Sequence, residues 1–390
     1  MGLKTKSSSG LMPLSLDLAV FLLFVVAVAA FVWRDRKNVK ATGLVLMRRT
    51  QRGKVWLDKT TNRAPQLWGL LTVIGVVVAI PAMIFISYFL LSNTIQLASG
   101  HVVGAVKLVL PWSGFEDKPG VLLVPWYFWI IGIATVVVPH ELFHGIACRL
   151  GKIRIKSLGW MLLAIIPGAF VDPDVNQLKK APRFAKLRVF AAGSFANFTI
   201  GFLCMLLGVA MLGALFHPVG ILPAGLIADT PAAAANLSGT LLAIDNFTIN
   251  SQEDLIAALQ QVPVGSQVIV RTSSGNYTVT TAQHPELNQS YLGLAGPYQL
   301  DYKLKAGVAA SGFGDVAQFF VDLFAWLWMI NLGIGMFNLL PIKPLDGGLI
   351  FEEIAGKFLR KNATRFVTIG ISVLMIAIVV FNIVGPVVMR

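Results

Sequence analysis

The chain reads Pro139-His140-Glu141-Leu142-Phe143-His144-Gly145 at the end of an apolar run that carries no other charged side chain. On a helix, His140 and His144 lie one turn apart on the same face, so both imidazoles can reach one tetrahedral Zn²⁺. Glu141 lies beside them, where its carboxylate can take a proton from water. The stretch predicts a zinc site within a membrane, in the H-E-x-x-H arrangement of metal-dependent hydrolases.

The H-E-x-x-H pattern is specific in a chain of this composition. With five His and six Glu among 390 residues, chance would produce it on the order of once in a thousand such chains. The alternative is a pair of helix-end histidines that meet lipid headgroups or backbone carbonyls. Three ionisable groups together in a membrane segment favour the functional interpretation.

Composition places the chain among multi-pass membrane proteins. Hydrophobic residues make up 56% of the chain and charged residues 13%, with a mean hydropathy of +0.72. These values do not suit a soluble protein. Cys148 and Cys204 both lie in apolar runs, which excludes a disulfide framework and a Cys-rich zinc finger.

Six apolar runs approach or exceed the roughly twenty residues that a membrane-spanning helix needs. The first is interpreted as a retained helix and not a signal peptide, because charged residues follow it where a cleavage site would need small ones. The predicted spans are residues 14–33, 67–91, 121–138, 184–216, 314–340 and 366–387.

Two segments between the spans predict other structure. Residues 151–174 are too short and too broken by Gly and Pro to cross the bilayer, so we expect a re-entrant or β-hairpin membrane loop. Residues 217–298 carry the strand, turn and helix signals of a small α/β module, including a helix capped by Ser251. The predicted domains are 1–120, two N-terminal spans with a basic loop; 121–216 and 299–390, two parts of one membrane core; and 217–298, the module.

The net charge of +13 is a topology signal. Residues 34–63 hold ten Lys or Arg, residues 149–188 hold nine and residues 343–365 hold five, out of 32 in the chain. By the positive-inside rule these segments face the cytoplasm, which puts the predicted zinc site near that side and the module outside. We therefore expect contact with the lipid bilayer and no nucleic-acid binding. The sequence indicates no particular oligomeric state.

A catalytic zinc usually takes three protein ligands and a water. His140 is predicted near the cytoplasmic end of its helix, so the candidates for the third ligand are the carboxylates of Asp346, Asp172 and Asp174. Asp346 is the best placed, because two prolines interrupt the backbone before it and two glycines follow it. The alternative is a solvated Asp at an ordinary helix terminus.

Four stretches, in this order, resemble the site-2 protease family of intramembrane metalloproteases. They are His140-Glu141-Leu142-Phe143-His144-Gly145, Pro167-Gly168-Ala169-Phe170-Val171-Asp172, Ala192-Gly193-Ser194-Phe195-Ala196-Asn197-Phe198, and residues 338–347 with Leu345-Asp346-Gly347. The module before the fifth span resembles the PDZ domain of bacterial relatives. The expected fold is thus a multi-pass α-helical membrane protein with a PDZ-like domain outside the cytoplasm.

The resemblance implies a zinc-dependent intramembrane endopeptidase that acts on transmembrane protein substrates. The implied zinc ligands are His140, His144 and Asp346, and the implied base is Glu141.

The resemblance also implies that Asn197 and Asn338 contact the substrate backbone or the oxyanion. Because a transmembrane helix keeps its amides hydrogen-bonded, the segment to be cut must first unwind or extend. We expect the extended segment to pair with an edge strand in residues 151–174. The module is either a size filter or peptide binder, or a structural cap.

Two other functions fit a membrane protein of this composition. One is a catalytically inert scaffold or transporter with a structural metal site, although transporters tend to show internal repeats and none is apparent in this sequence. The other is a membrane zinc protease that cleaves outside the bilayer. The position of the cleaved bond relative to the apolar stretch of a substrate would distinguish this case.

Overall fold

The structure is a computed structural model that describes residues 14–43, 45–100, 106–111, 121–163 and 166–388. Twelve helices lie within these ranges. In chain order they are α1 (Leu14–Arg34), α2 (Arg52–Arg63), α3 (Pro65–Ala98), α4 (Trp126–Leu150), α5 (Val175–Lys180), α6 (Arg183–Leu215), α7 (Pro231–Ala234), α8 (Gln252–Gln261), α9 (Ala306–Ala310), α10 (Gly314–Asn338), α11 (Asp346–Phe358) and α12 (Lys361–Val388).

The same ranges contain sixteen strands. In chain order they are β1 (Val39–Thr42), β2 (Val45–Thr50), β3 (Leu108–Pro111), β4 (Val121–Val124), β5 (Ile155–Leu163), β6 (Ile166–Pro173), β7 (Phe216–Leu222), β8 (Gly225–Leu226), β9 (Leu241–Ile244), β10 (Phe247–Thr248), β11 (Gln267–Thr272), β12 (Gly275–Thr280), β13 (Ala282–Gln283), β14 (Ser290–Tyr291), β15 (Leu294–Ala295) and β16 (Gln299–Leu304).

Helices α1, α3, α4, α6, α10 and α12 are long and apolar enough to cross a membrane. This confirms the prediction of a multi-pass helical membrane protein with six spans. The predicted start of the third span at residue 121 is wrong, because β4 occupies that position and pairs in parallel with β3. Pro125 precedes α4, and a residue followed by proline favours extended backbone, so the helix begins only at Trp126.

The chain folds as two compact units, one of which comprises Gly208–Val321. The other comprises the described residues up to Leu207 and from Asp322 onward. Residues 101–105 and 112–120, which belong to the predicted first domain, lie outside the described residues. The tip of the predicted membrane loop, 164–165, also lies outside them.

In the larger unit, the described residues of 151–174 include β5 and β6, which pair as antiparallel strands. Strands β2 and β1 extend this pair to a four-stranded sheet of order β1-β2-β5-β6, so β6 is an edge strand. Beside it, α4 packs against α3, α6 and α11 around buried residues that include Ala147, Ala192, Leu339 and Ile350. This packing holds β6, α6 and α11 against the end of α4 that carries the histidines.

A polar clamp joins the spanning helices α3 and α12. Asn382 is 0% exposed, and its Nδ2 donates to Thr94 Oγ1 at 2.7 Å and to the Ile378 carbonyl at 2.9 Å. Its Oδ1 accepts from Asn93 Nδ2. Every polar atom of this carboxamide thus has a partner, as interhelical hydrogen bonds in a membrane require.

The unit Gly208–Val321 contains an antiparallel sheet of strand order β12-β11-β9-β7-β16, packed over a buried core that includes Ile221, Leu241 and Val270. Ser251 Oγ accepts from the Asp254 N–H at 3.2 Å, which confirms the predicted cap of α8. Strand β16 pairs with β7, so the sheet continues past residue 298 to residue 304.

Candidate metal site

Helix α4 presents His140 and His144 on one face, with their ring centroids 4.7 Å apart. Glu141 lies next to His140 along the same helix and accepts the Val171 N–H on Oε2 at 2.8 Å. Because Val171 belongs to β6, the edge of the sheet fixes this carboxylate. The other side of the histidine pair faces the beginning of α11.

Asp346 is the first residue of α11, and an irregular segment brings it to the histidines. Helix α10 ends at Asn338, and Pro341 and Pro344 interrupt the backbone that follows. Gly347 and Gly348 come next, and a Cβ on either residue would overlap the backbone of the preceding turn. A tight turn therefore holds Asp346, and this turn requires glycine at both of the following positions.

The three predicted ligands converge on one point. Asp346 Oδ2 lies 3.4 Å from Nε2 of His140 and 3.4 Å from Nε2 of His144, and the ligand atoms of all three lie within 4.8 Å of one another. In a tetrahedral zinc site with bonds of about 2.0–2.1 Å, ligand atoms lie about 3.3 Å apart. The residues present therefore fit a zinc ion.

The electrostatics of Asp346 agree with a ligand role. Burial by itself would raise the pKa of the Asp346 carboxyl, but the neighbouring imidazoles, that of His144 first, outweigh burial and lower this pKa to about 2. The surroundings thus favour the ionised carboxylate, the form that binds a metal. Its buried Oδ2 accepts no hydrogen bond from the described residues, which leaves it available for a cation.

The outer nitrogens of both histidines have partners that orient the rings. His144 Nδ1 lies 2.6 Å from the Val189 carbonyl, which can only accept, so Nδ1 carries the proton and Nε2 is free for a metal. His140 Nδ1 lies 3.2 Å from Nδ2 of Asn197. Both partners are on α6, so this helix sets the direction of the two rings.

The other two carboxylates that were candidates for the third ligand have different partners. Asp172 Oδ2 accepts from Arg49 and from Ser157, and Asp174 caps α5 through the N–H groups of its first turn. Neither belongs to the cluster of potential metal ligands in the described residues. Asn338 is the half-buried last residue of α10, and no described residue in the cluster forms a hydrogen bond with its side chain.

Sequence reasoning missed the role of Gly193. A Cβ at this position would fall between Nε2 of His140 and Nε2 of His144 and overlap both. The absent side chain therefore leaves the space into which the imidazoles point. Gly193 stands in a run of small residues on α6, which suggested close helix packing but not a contact with the histidines.

The chain is a multi-pass helical membrane protein with a His-His-Asp cluster compatible with zinc. The sequence model of peptidase family M50 matches residues 128–381, and the chain belongs to this family, that of the site-2 proteases. The predicted family resemblance is thereby confirmed.

Three relatives illustrate the similarity. An uncharacterised protein of Methanocaldococcus jannaschii is 26% identical over 360 residues, which cover 88% of this chain and 88% of the relative. A "membrane-bound transcription factor site-2 protease homolog" of Arabidopsis thaliana is 28% identical over 134 residues, or 34% of this chain and 25% of that protein. A "putative zinc metalloprotease" of Clostridium perfringens is 24% identical over 303 residues, or 60% and 89%.

Replacement of Gly193 by alanine is expected to abolish metal binding, because the new Cβ would occupy the space between the two Nε2 atoms. Zinc in the purified protein, measured by elemental mass spectrometry, should fall from stoichiometric to near zero. The matched control is Gly213→Ala on the same helix, where an added Cβ meets no atom within 4 Å. Stoichiometric zinc in folded Gly193→Ala protein would contradict the assignment of this space to the metal.

Proposed function

We propose that the protein is an intramembrane zinc metalloprotease that hydrolyses peptide bonds within or near the transmembrane helices of other membrane proteins. The observation that carries the proposal is the convergence of His140, His144 and Asp346, with Asp346 Oδ2 at 3.4 Å from both imidazoles. These three side chains would hold the zinc ion. Membership of peptidase family M50 supports the same reaction class.

The chemistry divides between the ion and Glu141. Zinc bound here would polarise a carbonyl group and acidify a water molecule. Glu141 is the general base: it takes the proton from the attacking water and returns it to the leaving amine. The Val171 N–H holds one oxygen of this carboxylate at 2.8 Å, which fixes its direction without neutralising its charge.

Replacement of Glu141 by glutamine is expected to lower the turnover of a single-span substrate by about 10²–10⁴-fold, because the base is lost. Zinc content should stay unchanged, since glutamine keeps an oxygen that can accept the Val171 N–H and all three ligands remain. The assay uses detergent-purified protein. A chelator should abolish wild-type cleavage and added zinc should restore it. Equal cleavage by wild type and Glu141→Gln would exclude this base.

The substrate segment is proposed to add as a strand to the free edge of β6. Residues Val171 and Ala169 point their N–H groups to the same side, because strand residues alternate in direction. The Val171 N–H points away from β5 to Glu141, so the Ala169 N–H also faces the open edge. An extended substrate paired there would lie next to the general base.

Replacement of Ala169 by proline tests this edge, because proline removes the outward N–H and is tolerated on edge strands. The loss of one hydrogen bond to the substrate should lower kcat/KM by up to about 10-fold, with zinc content unchanged. Ala169→Val keeps the N–H and is the matched control. If the proline and valine variants have equal kcat/KM, strand addition at β6 is excluded.

The module is proposed to lie on the outer side of the membrane, opposite the basic loops, and to exclude substrates whose outer domain is intact. The charge distribution supports this orientation. Its PDZ-like identity is part of the same proposal, because peptide-binding modules of that class capture extended segments along a sheet edge. A filter of this kind would restrict cleavage to substrates that another protease has already shortened.

Removal of residues 223–298 tests the filter. Leu222 and Gln299 are cross-strand partners, so a short Gly/Ser turn can join β7 directly to β16. Substrates with an intact outer domain should then be cleaved faster, whereas shortened substrates should be cleaved at the wild-type rate. Unchanged cleavage of intact substrates would favour a structural cap.

The orientation of the module has a separate test. In the full chain, Ser274→Cys should react with an impermeant thiol reagent only from the outer side.

A further inference from the structure

We propose that one buried water joins Asn197 of α6 to Asn331 of α10, and that this hydrogen-bonded chain sets the orientation of His140. The proposal rests on the assignment of His140 as a zinc ligand. Both asparagines are 0% exposed, and the Oδ1 atom of each accepts no hydrogen bond from the described residues. Buried polar atoms nearly always have a partner, which is often an ordered water.

The packing of α6 against α10 places the two carboxamides close together. A Cβ at Gly335 of α10 would lie 3.3 Å from the Asn197 Cβ, and a Cβ at Gly201 of α6 would lie 3.4 Å from the Asn331 Cβ. Each asparagine therefore faces a glycine of the other helix. Since Asn197 and Gly201 are four residues apart, a rise of about 6 Å, the two asparagines attach about one helical turn from each other. One water with two hydrogen bonds of about 2.8 Å can join carboxamides at such a spacing.

Metal binding determines how the Asn197 carboxamide is oriented. An imidazole that binds zinc through Nε2 carries its proton on Nδ1, so His140 Nδ1 must donate. The Asn197 atom that faces His140 Nδ1 therefore has to be Oδ1. A 180° rotation of the carboxamide about its Cβ–Cγ bond places Oδ1 at the position 3.2 Å from Nδ1. The same rotation turns Nδ2 to the place where the unpartnered oxygen stood, and Nδ2 can donate there.

The far end of the chain is fixed by Thr135 of α4. Asn331 Nδ2 donates to Thr135 Oγ1 at 3.1 Å and to the Leu327 carbonyl at 2.9 Å, which directs its Oδ1 away from both. Pro139 has no N–H to donate to the Thr135 carbonyl four residues earlier. The water would accept from Asn197 Nδ2 and donate to Asn331 Oδ1 and the Thr135 carbonyl, the three bonds typical of a buried water.

Asn197 and Asn331 are thus positioning residues for His140. Both side chains are completely buried, so we assign the chain an action through the ring of the metal ligand. Outer partners of this kind usually contribute 10–100-fold to metal affinity. Asn331 reaches His140 only through the water and Asn197, so we expect its contribution at the lower end of that range.

The test measures metal binding in the full-length protein. Asn331→Leu should release zinc to a competing chelator about 10-fold faster than wild type, and its cobalt-substituted form should show a changed visible absorption spectrum. Asn382→Leu is the matched control, because it removes an equally buried asparagine from the clamp between α3 and α12. Its zinc release and cobalt spectrum should match those of wild type even if it melts at a lower temperature.

Thr135→Val is the second variant, since it keeps the side-chain shape and removes only the acceptor that orients Asn331. It should accelerate zinc release in the same direction by a smaller factor. Wild-type release and spectrum in folded Asn331→Leu would overturn the proposal, and if that variant does not fold, wild-type behaviour of Thr135→Val would do so. Failure of the zinc assignment has a different signature, because His140→Ala would then bind zinc as tightly as wild type.

Discussion

The approach of Asp346 to His140 and His144 is the contact on which the rest of the membrane unit depends. A buried carboxylate is costly unless cations or donors surround it. Here Nε2 of two imidazoles from α4 lies 3.4 Å from it, and a cation held by all three groups would supply the compensating charge. The chain between α4 and Asp346 includes α6, the module and α10. The helices must therefore pack so that the start of α11 meets the middle of the α4 motif. The prolines and glycines around Asp346 make that approach possible, because a regular helix could not turn back so tightly.

Helix α6 supplies the space and the orientation that α4 and α11 require. Gly193 leaves room in front of both Nε2 atoms, while Val189 and Asn197 lie on either side of it along the helix and contact the outer nitrogens. A larger residue at position 193 would fill the cluster even if every ligand were intact. The site is thus a gap between three helices, shaped as much by a missing side chain as by the ligands themselves.

Sequence reasoning predicted the spans well, because the bilayer thickness imposes a length on apolar runs that composition reveals. It placed the start of α4 five residues early, since Val121–Val124 is as apolar as the helix and only the effect of Pro125 separates them.

His140 and His144 were predicted from helical spacing. Asp346 was one of three candidates on sequence alone, because no periodicity connects residues on α4 and α11. The prolines and glycines around it made it the best placed of the three, and the family resemblance implied the same residue. Gly193 was missed because a glycine among small residues indicates helix packing wherever it occurs. Asn331 was missed because it belongs to no recognised motif, and its position inside an apolar span was the only signal.

Buried asparagines in the spanning helices fall into two kinds that composition cannot separate. Asn382 has a partner for each polar atom of its carboxamide, so a structural role in joining α3 to α12 accounts for it. Asn197 and Asn331 each have one polar carboxamide atom with no partner among the described residues, although both are equally buried. An unpaired polar atom of this kind costs about 1–3 kcal/mol, and a helix interface that served packing alone would not retain two of them. Their position next to His140 and Thr135 gives a reason for keeping them, because a metal ligand needs an acceptor of fixed direction behind its ring. Among these three asparagines, the unpaired polar atoms therefore separate the structural clamp from the residues proposed to serve the metal.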